Sequence, residues 1–437
     1  MTHSPNPLTS SFDRRDFLQV SAALGAGLWA SGVTKVSADD AETRKLNVGV
    51  MGLSRGLGHV DALLKMEKDK NVEIAYLCEV DSNRLERGQK IVTDKIGRTP
   101  QGVTDFRKML EDPTLDAVFI ATCNHWHAPA AILACSAGKH VYVEKPGSHN
   151  AAEGEMIVAA ARKNKRVVQM GNQRRSWPVV QEAIEKLKAG AIGKVMMARC
   201  VYNGLRGPIG KGVVQAPPPH LDYELWQGPA PDRPYKSNLI PYNWHWHWHW
   251  GGGEMANNGI HGLDVARWGL GVDCPSTVSF VGGRYAHDDD QETPDTGVAM
   301  FHFGDKAISW DVSSCHPRKG ENLPFVTFYG SEGTLQLEPG MRILDLQGKE
   351  VENKKNEVGN GDVIHMGNFL DAIRTGKTPN SEIAIGQAST LLCHLANIAY
   401  RTGHTLHLDP QTKKIKDDAD AMKLWGREYR KGWEPKV

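Results

Sequence analysis

Short apolar runs alternate with helix-spaced stretches from residue 45 to residue 170, and that alternation already sets the fold class. Residues 45–51 form the first run and pass into a glycine-rich turn, after which helical spacing holds to about residue 68. Further runs at 72–78, 117–121 and 140–143 read as buried strands. An alanine-rich stretch opened by Pro129 and stopped by Gly138 reads as the helix between the last two. Residues 151–163 predict another helix and 166–170 another strand. Strands joined through helices must run parallel, so the pattern predicts a doubly wound α/β sheet. Such sheets bind ligands just beyond the carboxyl ends of their strands. Glu144-Lys145-Pro146 stands there after the 140–143 run, with Lys145 held by the strand and pinned by the proline. That lysine is well placed to act on a bound substrate.

The first run ends in Gly52-Leu53-Ser54-Arg55-Gly56-Leu57-Gly58-His59. Glycines at such a turn let backbone N–H groups approach a pyrophosphate at a helix amino terminus. The spacing departs from G-x-G-x-x-G, with Ser54 at the second glycine position and Gly56 one residue early. Gly52, Ser54, Arg55 and Gly56 are the loop's candidate cofactor contacts. The 72–78 run ends in Glu79-Val80-Asp81, where a carboxylate can accept hydrogen bonds from ribose hydroxyls. Without the glycine loop, Glu79 would read as a solvated strand-end carboxylate. It would repel a 2′-phosphate, so NAD is favoured, and nearby Arg84 keeps NADP as the second reading.

At 437 residues the chain exceeds a single core and implies two domains, read as 39–171 and 172–437 after a leader at 1–38. The leader carries Arg14-Arg15, a mildly apolar run at 20–33 and Val36-Ser37-Ala38 before a cleavage point, the order of a twin-arginine export signal. This predicts a folded enzyme delivered to the periplasm or secreted. The 52 basic and 51 acidic residues are interspersed, which argues against a nucleic-acid surface. No internal run approaches a membrane span, so no membrane partner is expected once the leader is removed. Seven widely spaced cysteines without Cys-x-x-Cys indicate small buried side chains rather than a disulfide framework or zinc cluster.

These residues resemble the Gfo/Idh/MocA family of oxidoreductases. The resemblance rests on the glycine loop, Ala121-Thr122-Cys123-Asn124-His125-Trp126-His127, Glu144-Lys145-Pro146 and the stretch from Gly251 through Asn257 and His261 to Asp264. Tyr329-Gly330-Ser331-Glu332-Gly333 and Asn368-Phe369-Leu370 add to it. The family implies a Rossmann domain followed by an α/β domain with an open, mostly antiparallel sheet whose face builds dimers or tetramers. Strand-like runs at 194–202, 276–283, 297–303, 307–312 and 325–329 are compatible. The resemblance implies carbohydrate or polyol substrates and hydride exchange with a nicotinamide.

It further implies that Lys145 contacts cofactor and reacting hydroxyl, that Glu144 fixes the strand end, and that Asn124, His125 and His127 line the cofactor cleft. His261 matches the family's general acid/base, a role suited to an imidazole titrating near neutrality. Several relatives carry aspartate four residues earlier, where this chain has Asn257, an amide that orients but accepts no proton. Asp264 either substitutes for it or is a buried helix carboxylate.

In Trp244-His245-Trp246-His247-Trp248-His249-Trp250, period two would put the indoles on one face of an extended segment and the imidazoles on the other. Trp246 and Trp248 are read as sugar-stacking rings, with packing at the domain boundary and metal binding by the histidines as the other readings. No carboxylate or thiolate completes a ligand set, so no metal is expected. Arg174-Arg175 either hold an anionic substrate group or form interdomain ion pairs, the second being favoured. The charged tail from 403 reads as a solvated segment wrapping the body. Export argues for a tightly held, internally recycled NAD. Two other readings stay open: glycoside cleavage or epimerisation through a transient keto-sugar, and a non-catalytic carbohydrate-binding protein on a vestigial cofactor fold.

Overall fold

The computed structural model describes residues 44–437; the leader read at 1–38 lies outside the described residues. Six strands, β1 (Leu46–Met51), β2 (Val72–Cys78), β3 (Gln101–Val103), β4 (Ala117–Ile120), β5 (His140–Val143) and β6 (Val168–Met170), form one sheet. All pairings are parallel, in the order β3-β2-β1-β4-β5-β6. Every side chain of β4 is buried, as a strand covered on both faces requires. The order reverses between β1 and β4, so a crevice opens at their carboxyl ends.

The longer helices are α1 (Gly56–Met66), α2 (Ser82–Ile96), α3 (Asn124–Ser136), α4 (Ala151–Lys163), α5 (Pro178–Lys188), α6 (Ile260–Leu270), α7 (Gly361–Thr375) and α8 (Ile383–Thr402). α3 starts at Asn124, a turn before the expected opening at Pro129, which sits inside it. Tertiary contacts account for the extra turn: His125 Nε2 and Trp126 Nε1 each lie 3.0 Å from the Trp226 carbonyl oxygen. α7 comes from the far end of the chain yet completes the first domain. Its Met366, Phe369 and Leu370 join Val48, Val50, Leu77 and Phe119 in one core, with Phe369 edge-on to Phe119 at 5.5 Å.

Nine strands form the second sheet: β7 (Val195–Asn203), β8 (Thr277–Gly283), β9 (Thr296–His302), β10 (Ala307–Ser313), β11 (Val326–Gly330), β12 (Gly333–Leu337), β13 (Met341–Asp345), β14 (Glu350–Lys354) and β15 (Leu406–His407). Only β7 and β10 pair in parallel. α6 packs across β7, β10 and β11, covering the face that carries Ala198, Cys200, Ile308 and Trp310. The opposite face leaves Val281, Val298 and Tyr329 exposed.

The tail is bound rather than solvated. Its Leu406–His407 extends the second sheet against β8, Tyr429 donates to the buried Glu153 at 3.0 Å, and Trp433 meets Trp126 edge-on at 5.3 Å. Apolar anchors spaced among its charges outweigh its net polarity. All seven cysteines are free, and Cys78, Cys135, Cys200 and Cys393 are buried. Among the described residues no helix is long and apolar enough to cross a membrane.

Candidate active site

A cleft of about 920 Å³ opens at the switch point between β1 and β4. Gly52 leaves β1 at φ +85°, and a Cβ there would lie 2.6 Å from the Ala121 carbonyl oxygen, so only glycine lets the two strand ends approach. α1 and α3 begin at this point; like α5 and α6 they carry no side-chain cap, whereas Asp81, Asn150 and Asn360 cap α2, α4 and α7. Two helix amino ends without side-chain caps therefore face the cleft, an arrangement that suits a pyrophosphate. Ser54 and Arg55 line the same wall. Gly56 does not reach it; a Cβ there would stand 3.2 Å from Val50, so this glycine serves helix-to-strand packing.

Glu79 closes the end of β2 but is not a free carboxylate. It accepts from Leu53 N–H at 2.7 Å, Val80 N–H at 2.8 Å and Asp81 N–H at 3.2 Å, tying the glycine loop to the neighbouring strand end. Burial pushes its pKa up against those three donors. Arg55 donates from Nε to Glu144 at 3.1 Å and from Nη2 to both Asp362 oxygens at 2.7 Å. It joins the glycine loop to the start of α7, where Gly359 and Asn360 before the helix and Gly361 and Asp362 within it also face the cleft.

Glu144 lies beneath the catalytic end. Burial alone would raise its pKa, but His59, 2.9 Å away, and Arg55 pull it well below the usual carboxylate range. Its Oε2 accepts the Lys145 backbone N–H at 3.1 Å, which fixes the start of the following segment. Lys145 donates from Nζ to the Asn257 carbonyl at 2.7 Å and to its Oδ1 at 3.2 Å. Asn257 sits in a π-turn, Met255–Gly259, inserted just before α6, a distortion that recurs at functional sites. Burial lowers the Lys145 pKa, which eases proton exchange at its ammonium.

His261 shares the cleft wall with Lys145 and Asn257. The near-neutral titration expected for it is corrected, because burial and the neighbouring Arg174 and Lys145 charges push its pKa well below 6.5. Nδ1 is buried without a partner, so Nε2 is the ring nitrogen open to exchange with the cleft. If this neutral ring accepts the proton, the acid limb of kcat/KM against pH falls well below pH 6.5. A limb at or above 6.5 that His261→Asn removes would contradict that assignment.

Other expected contacts divide. Asn124 and His127 line the cleft, and His127 braces it by spanning the Pro146 carbonyl at 2.6 Å and the Thr122 carbonyl at 3.1 Å. His125 faces away, fully buried against Trp226. Arg174 reaches the cleft while pairing with Glu338 and lying over Phe325 and Trp177. Asp264 does not reach it: the side chain is buried, bidentate to Arg175 at 2.8–3.0 Å, and accepts from Ser389 at 2.6 Å. The structure places Asp264 as a buried helix carboxylate.

The aromatic run is not extended. Asn243–Trp246 is one 3₁₀ turn, and the N–H groups of His245, His247 and Trp250 bond back three residues, so period two is lost. Trp244 and His245 face the cleft. Trp246 is buried under Arg206, and Trp248 lies against Tyr400 and Arg401, so neither serves as the expected sugar platform. The imidazoles diverge towards the Tyr242 carbonyl, Glu292 and the Pro231 carbonyl. Among the described residues no group of three or more potential metal ligands forms. Residues not anticipated at the cleft include Tyr242, Trp177, Trp126 and Leu221.

A doubly wound dinucleotide domain with its cleft closed by a mixed α/β domain is the frame of a two-domain oxidoreductase. The chain belongs to the Gfo/Idh/MocA oxidoreductase family: its NAD-binding Rossmann fold matches residues 46–172 and its C-terminal alpha/beta domain residues 207–435. A levoglucosan dehydrogenase of Pseudarthrobacter phenanthrenivorans is 40% identical over 101 residues, 23% of this chain and 25% of that protein. A glycosyl hydrolase family 109 protein of Saccharopolyspora erythraea is 28% identical over 218 residues, 44% and 46% of the two chains. A myo-inositol 2-dehydrogenase of Thermotoga maritima is 26% identical over 269 residues, 60% and 66%. The matches thus span between a quarter and two thirds of these relatives. The fold is also that of the aldose-aldose oxidoreductase of Caulobacter crescentus complexed with glycerol, at TM-score 0.64 and 21% identity over 84% of this chain and all of the other.

Proposed function

We propose that the protein oxidises or reduces one carbon of a sugar, sugar derivative or cyclitol, with NAD as the cofactor and NADP as the second choice. The observation that carries this is the convergence of Lys145, Asn257 and His261 on the cleft where two uncapped helix ends and Gly52 form a phosphate cradle. Ser54, Arg55 and Glu79 would hold the dinucleotide with that cradle. A nicotinamide bound there supplies the hydride acceptor or donor. The Lys145 ammonium stabilises negative charge on the substrate oxygen. Nε2 of His261 takes the hydroxyl proton or returns it. Asn257 holds Lys145 in place and takes no proton.

A second reading rests on Asn257 and on the likeness to a glycosyl hydrolase family 109 protein: transient oxidation acidifies the adjacent C–H, permitting glycoside cleavage or epimerisation. Product analysis separates the two, net keto-sugar supporting the first and bond cleavage without net NADH the second. A protein that binds sugars without turning them over is the third reading, opposed by the intact Lys145 and His261.

Export through the twin-arginine route and retention of the cofactor are part of the proposal. Protein purified without added nucleotide is expected to release NAD(H) in near-stoichiometric amount on denaturation, read by mass spectrometry; empty protein with millimolar affinity would remove retention. Replacing Arg14 and Arg15 by lysine should leave the enzyme in the cytoplasm. For assembly we assign the open face of the second sheet, where Val298 lies directly opposite Val281, itself 78% exposed. Val281→Arg should convert a dimer or tetramer to a smaller species by light scattering, and an unchanged mass would reject this face.

A further inference from the structure

His245 is the one imidazole of the aromatic run that faces the cleft, and the roles above leave it unused. Its Nδ1 is 2.7 Å from the Tyr242 carbonyl oxygen. A carbonyl carries no proton, so a bond there places the ring proton on Nδ1. The ring is held on the Trp244 indole, centroids 3.6 Å apart and planes 22° from parallel, with the Tyr242 ring 4.4 Å away. Burial, then the Lys145 and Arg206 charges, push its pKa down to about 3, so no second proton is taken up near neutrality. Nε2 therefore carries a lone pair and makes no hydrogen bond within the described protein.

Lys145 is the complementary group. Two of its three N–H bonds go to Asn257, which leaves one donor for the cleft. A hydroxyl that accepts from Lys145 and a second that donates to His245 would satisfy both groups with one molecule. Tyr242 and Trp244 flank His245, and Ile240 and Pro241 line the same cleft, adding ring and aliphatic surface suited to the C–H faces of a cyclic polyol.

We propose that His245 reads the substrate, its Nε2 accepting a hydrogen bond from a second hydroxyl of the molecule that meets Lys145, so that the site prefers diols to simple alcohols. The proposal rests on the oxidoreductase reading above and names its substrate class. The test is ¹⁵N-histidine NMR of the full protein as purified, with the His245 signal assigned by its loss in His245→Phe and in His245→Gln. At pH 7 the expected ring is neutral, with the proton on Nδ1. cis-Cyclohexane-1,2-diol should move the Nε2 resonance and bind roughly 2- to 10-fold tighter than cyclohexanol, the worth of one hydrogen bond. That preference should vanish in His245→Phe.

A proton on Nε2, an imidazolium at pH 7, or a diol that leaves Nε2 unmoved would overturn the proposal. Nucleotide content measured on the same sample keeps the two ideas apart. A loaded protein with an unresponsive His245 rejects this inference alone, whereas a protein that takes up no nucleotide rejects the oxidoreductase reading.

Discussion

Asp264→Ala is expected to lower folding stability by about 3–5 kcal/mol, because it strands a buried guanidinium. Arg175 gives both Nε and Nη2 to that carboxylate and has its guanidinium over the Trp268 ring. Ser389 of α8 donates to the same oxygen. The three residues tie the segment before α5 to α6 and α8, so the loss should appear as a lower urea midpoint and not as a changed rate. Asp264→Asn, which keeps the shape, should fall between wild type and alanine. A variant with unaltered unfolding and a kcat reduced a hundredfold would restore Asp264 to the catalytic set.

Lys145→Ala should show the opposite pattern. Removing the ammonium takes away a donor aimed at the reacting oxygen and is expected to cost about 10²–10⁴ in kcat. Stability and nucleotide content should change little, since the Lys145 backbone N–H still meets Glu144. Lys145→Arg should not rescue the rate, because the longer, planar guanidinium keeps the charge but cannot copy the ammonium's contacts with Asn257 or its place at the reacting oxygen. If Lys145→Ala retained activity within a few-fold, Lys145 would lose its catalytic role; if wild type and variant were equally inert, the sugar-binding reading would take first place.

The first domain was legible because its signals are local. β2, β5 and α4 coincide with the runs at 72–78, 140–143 and 151–163, where apolar composition and capping residues agree. Lys145, Asn257, His261, Asn124 and His127 all reach one cleft, since each sits next to a strand end or a helix start that the chain announces. His125 was misread through the late helix start. A helix opening at Asn124 puts positions 124 and 127 on one face and turns 125 away.

Pairings across long sequence separations were not legible. Nothing near Arg55 indicates Asp362, and nothing near Phe119 indicates that Phe369 completes its core. The fate of Asp264 depended on Arg175 and Ser389, neither visible from its own helix. In the aromatic run the alternation was real but the backbone was not extended. Turns between Pro241 and the glycines at 251–253 replaced period two with a three-residue bond pattern, which moved the cleft-facing role from Trp246 and Trp248 to Trp244 and His245.

The most direct test of the central claim is a crystal structure of the protein with NAD bound. The account predicts the pyrophosphate at the 52–56 turn, with the nicotinamide reaching Lys145 and His261. A dinucleotide seated elsewhere, or a cleft that stays empty at saturating NAD, would contradict it.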